Sequence, residues 1–174
     1  MNSKGVTLVE LVMVLAVVGI LAAVGIPGFR AMLQEQRRQV IVGELVATLK
    51  MARTEAVVRH TPIVVRAAEK GWGWGWQVMP DMRGLRRGPE VVLRRRVLDG
   101  SIRIEGNHWM RKEVRFNTFG AVAGVNGSGN PGELSVCDTN DKARVRLVIS
   151  WVGRLRIDKS YVRNRDDQCR KSLK

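Results

Sequence analysis

A single carboxylate interrupts a long apolar run at the start of the chain: Glu10 is the only charged residue between Val6 and Phe29. A lone acid in a segment of membrane length costs roughly 2.5 to 3.5 kcal/mol on insertion scales. A segment that served only as an anchor has no use for such a cost, so a specific partner charge is the expected reason for it. Leu11 to Phe29 carries no charged side chain at all. That stretch exceeds the roughly 7 to 15 residues of a signal-peptide core and matches the roughly 17 to 25 needed to span a bilayer. A secretory signal peptide is the alternative, because Ala23, Val24 and Gly25 offer small residues for cleavage. A mature chain beginning at Ile26 would identify it.

Beyond Pro27 the chain stays helical in pattern but turns amphipathic. Val42, Leu45, Val46, Leu49, Ala52 and Ala56 recur at steps of three and four, which places them on one helical stripe. A continuous helix from Val6 to Arg59 would be about 80 Å long at 1.5 Å per residue. Thr61 and Pro62 are the expected terminators, since proline disfavours helical geometry in the residue before it. From Pro62 onward the period changes to two, in short runs rich in Val, Ile and Trp and broken by Gly, Pro, Asn and Asp. Strands are expected at Ile63–Ala67, Trp74–Met79, Val91–Val97, Ile102–Ile104, Val114–Asn117, Leu134–Val136, Arg144–Trp151 and Arg154–Ile157. A soluble part of about 145 residues buries one adequate core. The expected class is therefore α+β, one antiparallel globular domain on a helical stalk.

The polar stub ending in Lys4 and Gly5, followed by Val6, Thr7, Leu8, Val9 and Glu10 and later by Pro27, resembles a type IV prepilin leader. The resemblance implies cleavage between Gly5 and Val6 by a prepilin peptidase and methylation of the new N-terminus, with the apolar segment retained. It also implies a role for Glu10, which in the family neutralises the terminal amine of a neighbouring subunit in the filament. Two opposite charges in a poorly hydrated place each lower the other's desolvation penalty, so the physics agrees. One position departs, because the family prefers Phe where Val6 stands. The shared layout is a lollipop: a leader at 1–5, a membrane-spanning and filament-core helix at 6–29, its amphipathic continuation at 30–60 and a globular domain at 61–174. The implied location is the bacterial inner membrane, crossed once with the domain in the periplasm, and later the pilus. Cys137 and Cys169 both fall in the exported part, where a disulfide is the economical assignment and two free thiols the alternative. Closing a loop of about 33 residues would contribute roughly 3 to 4 kcal/mol in the chain-entropy model and tether the basic C-terminal tail.

Charge is the second clue. The chain has 30 Lys and Arg against 16 Asp and Glu, a net +14, and most of the cations are arginine. From Arg83 to Arg115 there are ten basic and four acidic residues, and from Glu133 to Lys174 eleven and six, so the excess sits in the globular part. Such an imbalance implies attraction to a polyanion: nucleic acid, acidic lipid or anionic polysaccharide. The guanidinium fork suits phosphate better than an ammonium does. A basic, soluble surface without a dedicated partner remains the alternative.

The end of the chain narrows the choice. Val145, Leu147, Ile149 and Trp151 alternate with Arg144, Arg146, Val148 and Ser150, as in a strand with one buried face. Val152 and Gly153 are the expected two-residue turn, after which Leu155 and Ile157 would point inward and Arg154 and Arg156 outward. Side chains two apart on a strand stand roughly 7 Å apart, comparable with adjacent phosphates on one nucleic-acid strand. Phe116, Asn117, Phe119 and Gly120, with Gly153, Arg154, Leu155 and Arg156, resemble the GspH/FimT/FimU group of minor pilins and pseudopilins, closest to its FimT-like DNA-uptake members. That resemblance implies DNA contact at Arg154 and Arg156; Lys159, Arg163 and Arg165, with Arg144 and Arg146, extend the candidate surface by charge. The expected partners are DNA held by its backbone with low sequence specificity, other pilin subunits, the inner membrane before assembly and the prepilin peptidase. Two other uses of the arginines stay open: shielding a sheet edge in a purely structural subunit that primes filament assembly, and adhesion to anionic glycans.

Other features carry less. Trp72, Trp74 and Trp76 share a parity and suit a platform for unpaired bases, but rings of that size are usually core. Gly124 to Gly132 lacks the Lys-Ser/Thr pair of a phosphate-binding loop. His60 and His108 do not stand at metal-ligand spacing with the cysteines. No nucleophile with a base and no paired carboxylates stand out, so neither catalysis nor a cofactor is expected.

Overall fold

The structure, a computed structural model, describes residues 7–81, 91–124, 129–137, 143–158 and 169. Two compact units divide the chain, Met1–Ile41 and Val42–Lys174, and helix α1 (Leu8–Val58) contributes to both. Its start is capped by Thr7, whose hydroxyl accepts a hydrogen bond from the Glu10 N–H at 3.3 Å. Glu10 is the third helical residue, where a negative charge complements the helix dipole. In the first unit the apolar side chains described between Leu8 and Phe29 are exposed. By length and composition this stretch is sufficient to cross a membrane.

In the second unit α1 buries the stripe read from the sequence, with Val42, Leu45, Val46, Leu49, Ala52 and Ala56 all in the core. Thr48 joins them because both of its bonding needs are met: its hydroxyl donates to the Glu44 carbonyl at 2.8 Å and accepts from the Trp76 indole N–H at 3.2 Å. The helix ends in a Schellman motif. The Thr61 N–H donates to the Ala56 carbonyl (3.3 Å) and the His60 N–H to that of Val57 (3.4 Å). His60 occupies the left-handed position such an end requires, with φ 48°, and Pro62 follows where the helix can no longer continue.

Among the described residues eight antiparallel strands follow: β1 (Ile63–Ala68), β2 (Gly71–Pro80), β3 (Arg94–Val97), β4 (Ile104–Gly106), β5 (Glu113–Phe116), β6 (Gly132–Cys137), β7 (Ala143–Ile149) and β8 (Leu155–Asp158). They form two four-stranded sheets, ordered β3-β2-β1-β5 and β4-β6-β7-β8. Each expected strand is present, with β3 starting three residues later than Val91 and β4 beginning only at Ile104. The α+β class, with a long N-terminal helix and antiparallel sheets, is as expected.

Three expectations about side-chain placement need correction. The tryptophans do not share a face: Trp72 and Trp76 are buried, whereas Trp74 is 42% exposed with the Lys70 ammonium 4.7 Å from its ring. Gly75 breaks the alternation with φ 119°, and a Cβ there would lie 2.1 Å from the Arg96 carbonyl oxygen. Trp151, expected inward, is 64% exposed because the strand ends at Ile149. Arg115, counted with the surface charge, is buried, its guanidinium 2.9 Å from the Asp81 carboxylate and paired also with Glu113.

Candidate nucleic-acid interface

The hairpin joining β7 to β8 carries the arginine pair. Its loop has three residues, one more than expected. The Gly153 N–H closes a turn onto the Ser150 carbonyl at 2.8 Å, and the Ser150 N–H then donates to the Arg154 carbonyl at 3.0 Å. The extra residue is Trp151, and Gly153 ends the loop left-handed at φ 76°, the conformation that lets a three-residue loop return the chain in register. The Ser150 hydroxyl also accepts from the Arg154 N–H at 3.1 Å, so the backbone beneath Arg154 is bonded on both sides.

A second turn lies against this one. The Asn117 side-chain oxygen accepts from the N–H groups of Phe119 and Ala121, both at 3.0 Å, and the Gly120 N–H reaches the Asn117 carbonyl at 2.8 Å. The Val122 N–H donates to the Trp151 carbonyl at 2.9 Å, joining the turns. Their approach is so close that a Cβ on Gly153 would sit 2.0 Å from the Gly120 oxygen. Arg53 of α1 spans the pair: its Nε donates to the Gly120 carbonyl at 2.9 Å and its Nη2 to the Val152 carbonyl at 3.2 Å. The residues that carry the family resemblance thus divide by role. Asn117, Gly120 and Gly153 shape and dock two turns, while Arg154 and Arg156 remain exposed.

Strand pairing fixes which way the hairpin faces. Ile149 is paired with Leu155 and Leu147 with Ile157, so the apolar residues of β8 lie on the core face. Leu155 is half-buried, but Ile157 at the open edge is exposed, less covered than expected. Arg154 and Arg156 border an open recess of about 480 Å³ floored by Val148 and Ser150. Neither guanidinium is ion-paired among the described residues. A smaller recess of about 170 Å³ is lined by Lys50 and Arg53 of α1 together with Arg154, so two further cations lie on the helix side of Arg154. Sequence reasoning missed these two, and only their i, i+3 spacing marked them as one helical face.

The remaining candidates are distributed as follows. Arg146 lies on β7 with its guanidinium 3.1 Å from the Glu133 carboxylate, so its charge is partly neutralised within the sheet. Of Arg144 only the backbone, in β7, is described. Lys159, Arg163 and Arg165, and Gly5 and Val6 at the expected cleavage point, lie outside the described residues. Cys137 and Cys169 are disulfide-bonded with Cα atoms 5.8 Å apart, and both are buried. The bond holds residue 169 of the basic tail at the end of β6. Among the described residues no group of three His, Cys, Asp or Glu side chains is placed to hold a metal ion.

A second basic strand, β3, offers Arg94, Arg95 and Arg96 on the outer edge of the other sheet. All three have partners within the unit. Arg96 pairs with Glu44 of α1 at 2.8 Å. Arg94 approaches the Met51 sulfur at 4.0 Å. With the Gln77 amide oriented to satisfy its neighbours, Arg95 donates to its oxygen from Nε (3.1 Å) and Nη2 (2.8 Å).

Comparison with known proteins places this architecture. The family profile described as "Type II transport protein GspH" matches residues 42–153, and that described as "Prokaryotic N-terminal methylation motif" matches residues 1–26. Fimbrial protein Q of Moraxella bovis is 35% identical over 65 residues, 37% of this chain and 41% of that relative, so the match spans about two fifths of the relative's length. Two crystal structures of the type IV minor pilin FimU of Pseudomonas aeruginosa superpose with TM-scores of 0.58 and 0.61. They are 23% and 21% identical, cover 75% and 78% of this chain and are themselves covered to 98% and 97%. At that identity they establish the fold. With the GspH profile matching more than half of its length and the methylation motif at its start, the chain belongs to the GspH family, the minor pilins and pseudopilins of the GspH/FimT/FimU group.

Proposed function

We propose that this minor pilin binds DNA through its β7–β8 hairpin, without strong sequence preference, and serves DNA uptake in natural transformation. One observation carries the reading: Arg154 and Arg156 are exposed, lack an ion-pair partner among the described residues, and stand on a hairpin docked by Gly153 and Arg53. A flat, basic strand edge suits phosphate contacts, while base-specific readout requires an element that enters a groove. Affinity is then on the order of micromolar or weaker at physiological salt and falls steeply as salt rises. Lys159, Arg163 and Arg165 add positive charge in the segment between β8 and Cys169.

The N-terminal part supplies assembly. Prepilin peptidase cleaves between Gly5 and Val6, the helix anchors the subunit in the inner membrane with its domain in the periplasm, and Glu10 meets the terminal amine of a neighbouring subunit in the filament. In a strain lacking the gene, complementation with R154Q/R156Q, scored separately for piliation and transformation, tests the division of labour. Normal pili with transformation reduced at least tenfold is the expected result. Normal transformation would overturn it.

The family profile itself favours a second reading, a structural subunit of a pilus or secretion filament that primes assembly. In that case the arginine pair shields the open edge of β8 against strand addition, and its loss affects piliation or secretion rather than DNA capture.

A further inference from the structure

On the two turns next to the arginine pair, two large aromatic rings are exposed among the described residues. Phe119 is 86% exposed and Trp151 64% exposed, each at the tip of one of the adjoining turns. Each ring sits one residue from a carbonyl held by the same guanidinium: Gly120 follows Phe119, Val152 follows Trp151, and Arg53 binds both. The backbones that carry the two rings are therefore held side by side. The Phe119 N–H is bound by the Asn117 side chain and the Trp151 carbonyl by the Val122 N–H. Large rings are normally buried, and a pair displayed on hydrogen-bonded turns next to cations with no ion-pair partner among the described residues is a surface prepared for a ligand with both apolar faces and negative charge.

We propose that Phe119 and Trp151 form a stacking platform for the bases of single-stranded DNA, with Arg154 and Arg156 holding its phosphates. The inference rests on the DNA reading above and deepens it by naming the form of DNA preferred. In a duplex the flat faces of the bases are hidden by their neighbours, whereas in a single strand each base has a face to offer, and stacking on aromatic side chains with cations along the backbone is how unpaired nucleic acid is held without sequence preference. Arg53 acts as a positioning residue, since it sets the spacing of the two tips, and Lys50 adds charge on the helix side of Arg154. Rigid turns favour this use because a platform already in place loses little freedom on binding.

The test uses the full-length protein in detergent micelles, with a 20-nucleotide oligo-dT and a 20-base-pair duplex as probes, both measured at one fixed salt concentration. F119A/W151A is expected to weaken oligo-dT binding by about five- to a hundredfold while changing duplex binding less than twofold. F119Y/W151F, which keeps both rings, restores it, and thermal melting of the variants checks that the fold is kept. R154Q/R156Q weakens both probes. Unchanged oligo-dT binding by F119A/W151A, or equal losses on both probes, overturns the platform. If F119A/W151A instead loses piliation with DNA binding intact, the rings dock a neighbouring subunit and the proposal fails. If R154Q/R156Q changes neither probe, the arginine reading fails, independently of the platform.

Discussion

The edge strands β3 and β8, one from each sheet, carry arginines in similar settings and use them differently. Each is a short strand at the rim of a four-stranded antiparallel sheet. On β3, Arg94, Arg95 and Arg96 are engaged by Met51, Gln77 and Glu44. On β8, the hairpin presents Arg154 and Arg156 with no such partner among the described residues. In the sequence the unbroken triplet is the more conspicuous basic feature, yet its charge is partly committed to holding β3 near α1. Local charge density does not identify a binding surface. What does is the balance between a cation and the acceptors that the fold places around it.

The strongest way to sharpen the contrast is to disturb one sheet and read the other. Replacing Arg115 by alanine removes a buried guanidinium paired with both Asp81 and Glu113 and should cost about 3 to 5 kcal/mol in denaturant unfolding. DNA affinity of the protein that remains folded should be unchanged, because β5 lies in the other sheet. C137S/C169S should cost roughly 3 to 4 kcal/mol and, by releasing the tail, weaken DNA binding as well. Unfolding curves and binding isotherms on the same preparations separate the two effects. Gly153→Ala should cost about 2 kcal/mol or more, through the left-handed backbone and the overlap with the Gly120 oxygen, and disturb the arginine hairpin without removing a charge. Smallest is R95Q/R96Q, exposed charges on a partnered edge, with a stability change of about 1 kcal/mol or less and little loss of DNA affinity. A loss as large as that of R154Q/R156Q would erase the distinction between the edges.

Much of this was legible in the sequence because it rests on periodicity. The buried stripe from Val42 to Ala56 and the alternation of β7 come from burial alone, which local pattern records. Glu10 and the Gly-Arg-Leu-Arg segment were legible as motifs. What escaped depends on contacts between distant segments. Arg53 is 67 residues from Gly120 and 99 from Val152, so nothing near it in sequence announces its role as the tie between two turns. Trp74 and Trp151 were misplaced for different reasons: Gly75, at positive φ, interrupts the alternation between Trp74 and Trp76, and β7 ends at Ile149, so Trp151 already belongs to the turn. Arg115 looked like surface charge because Asp81 lies 34 residues upstream in sequence, although the two are 2.9 Å apart in the fold.

The central claim, that the hairpin pair meets phosphates, is tested most directly by the salt dependence of oligo-dT binding by full-length protein and by R154Q/R156Q. Each phosphate contact contributes about 0.7 to the slope of log affinity against log salt for a single strand. Removal of both arginines should therefore reduce the slope by about 1.4 and lower affinity at every salt concentration. Parallel lines of equal affinity would contradict the account.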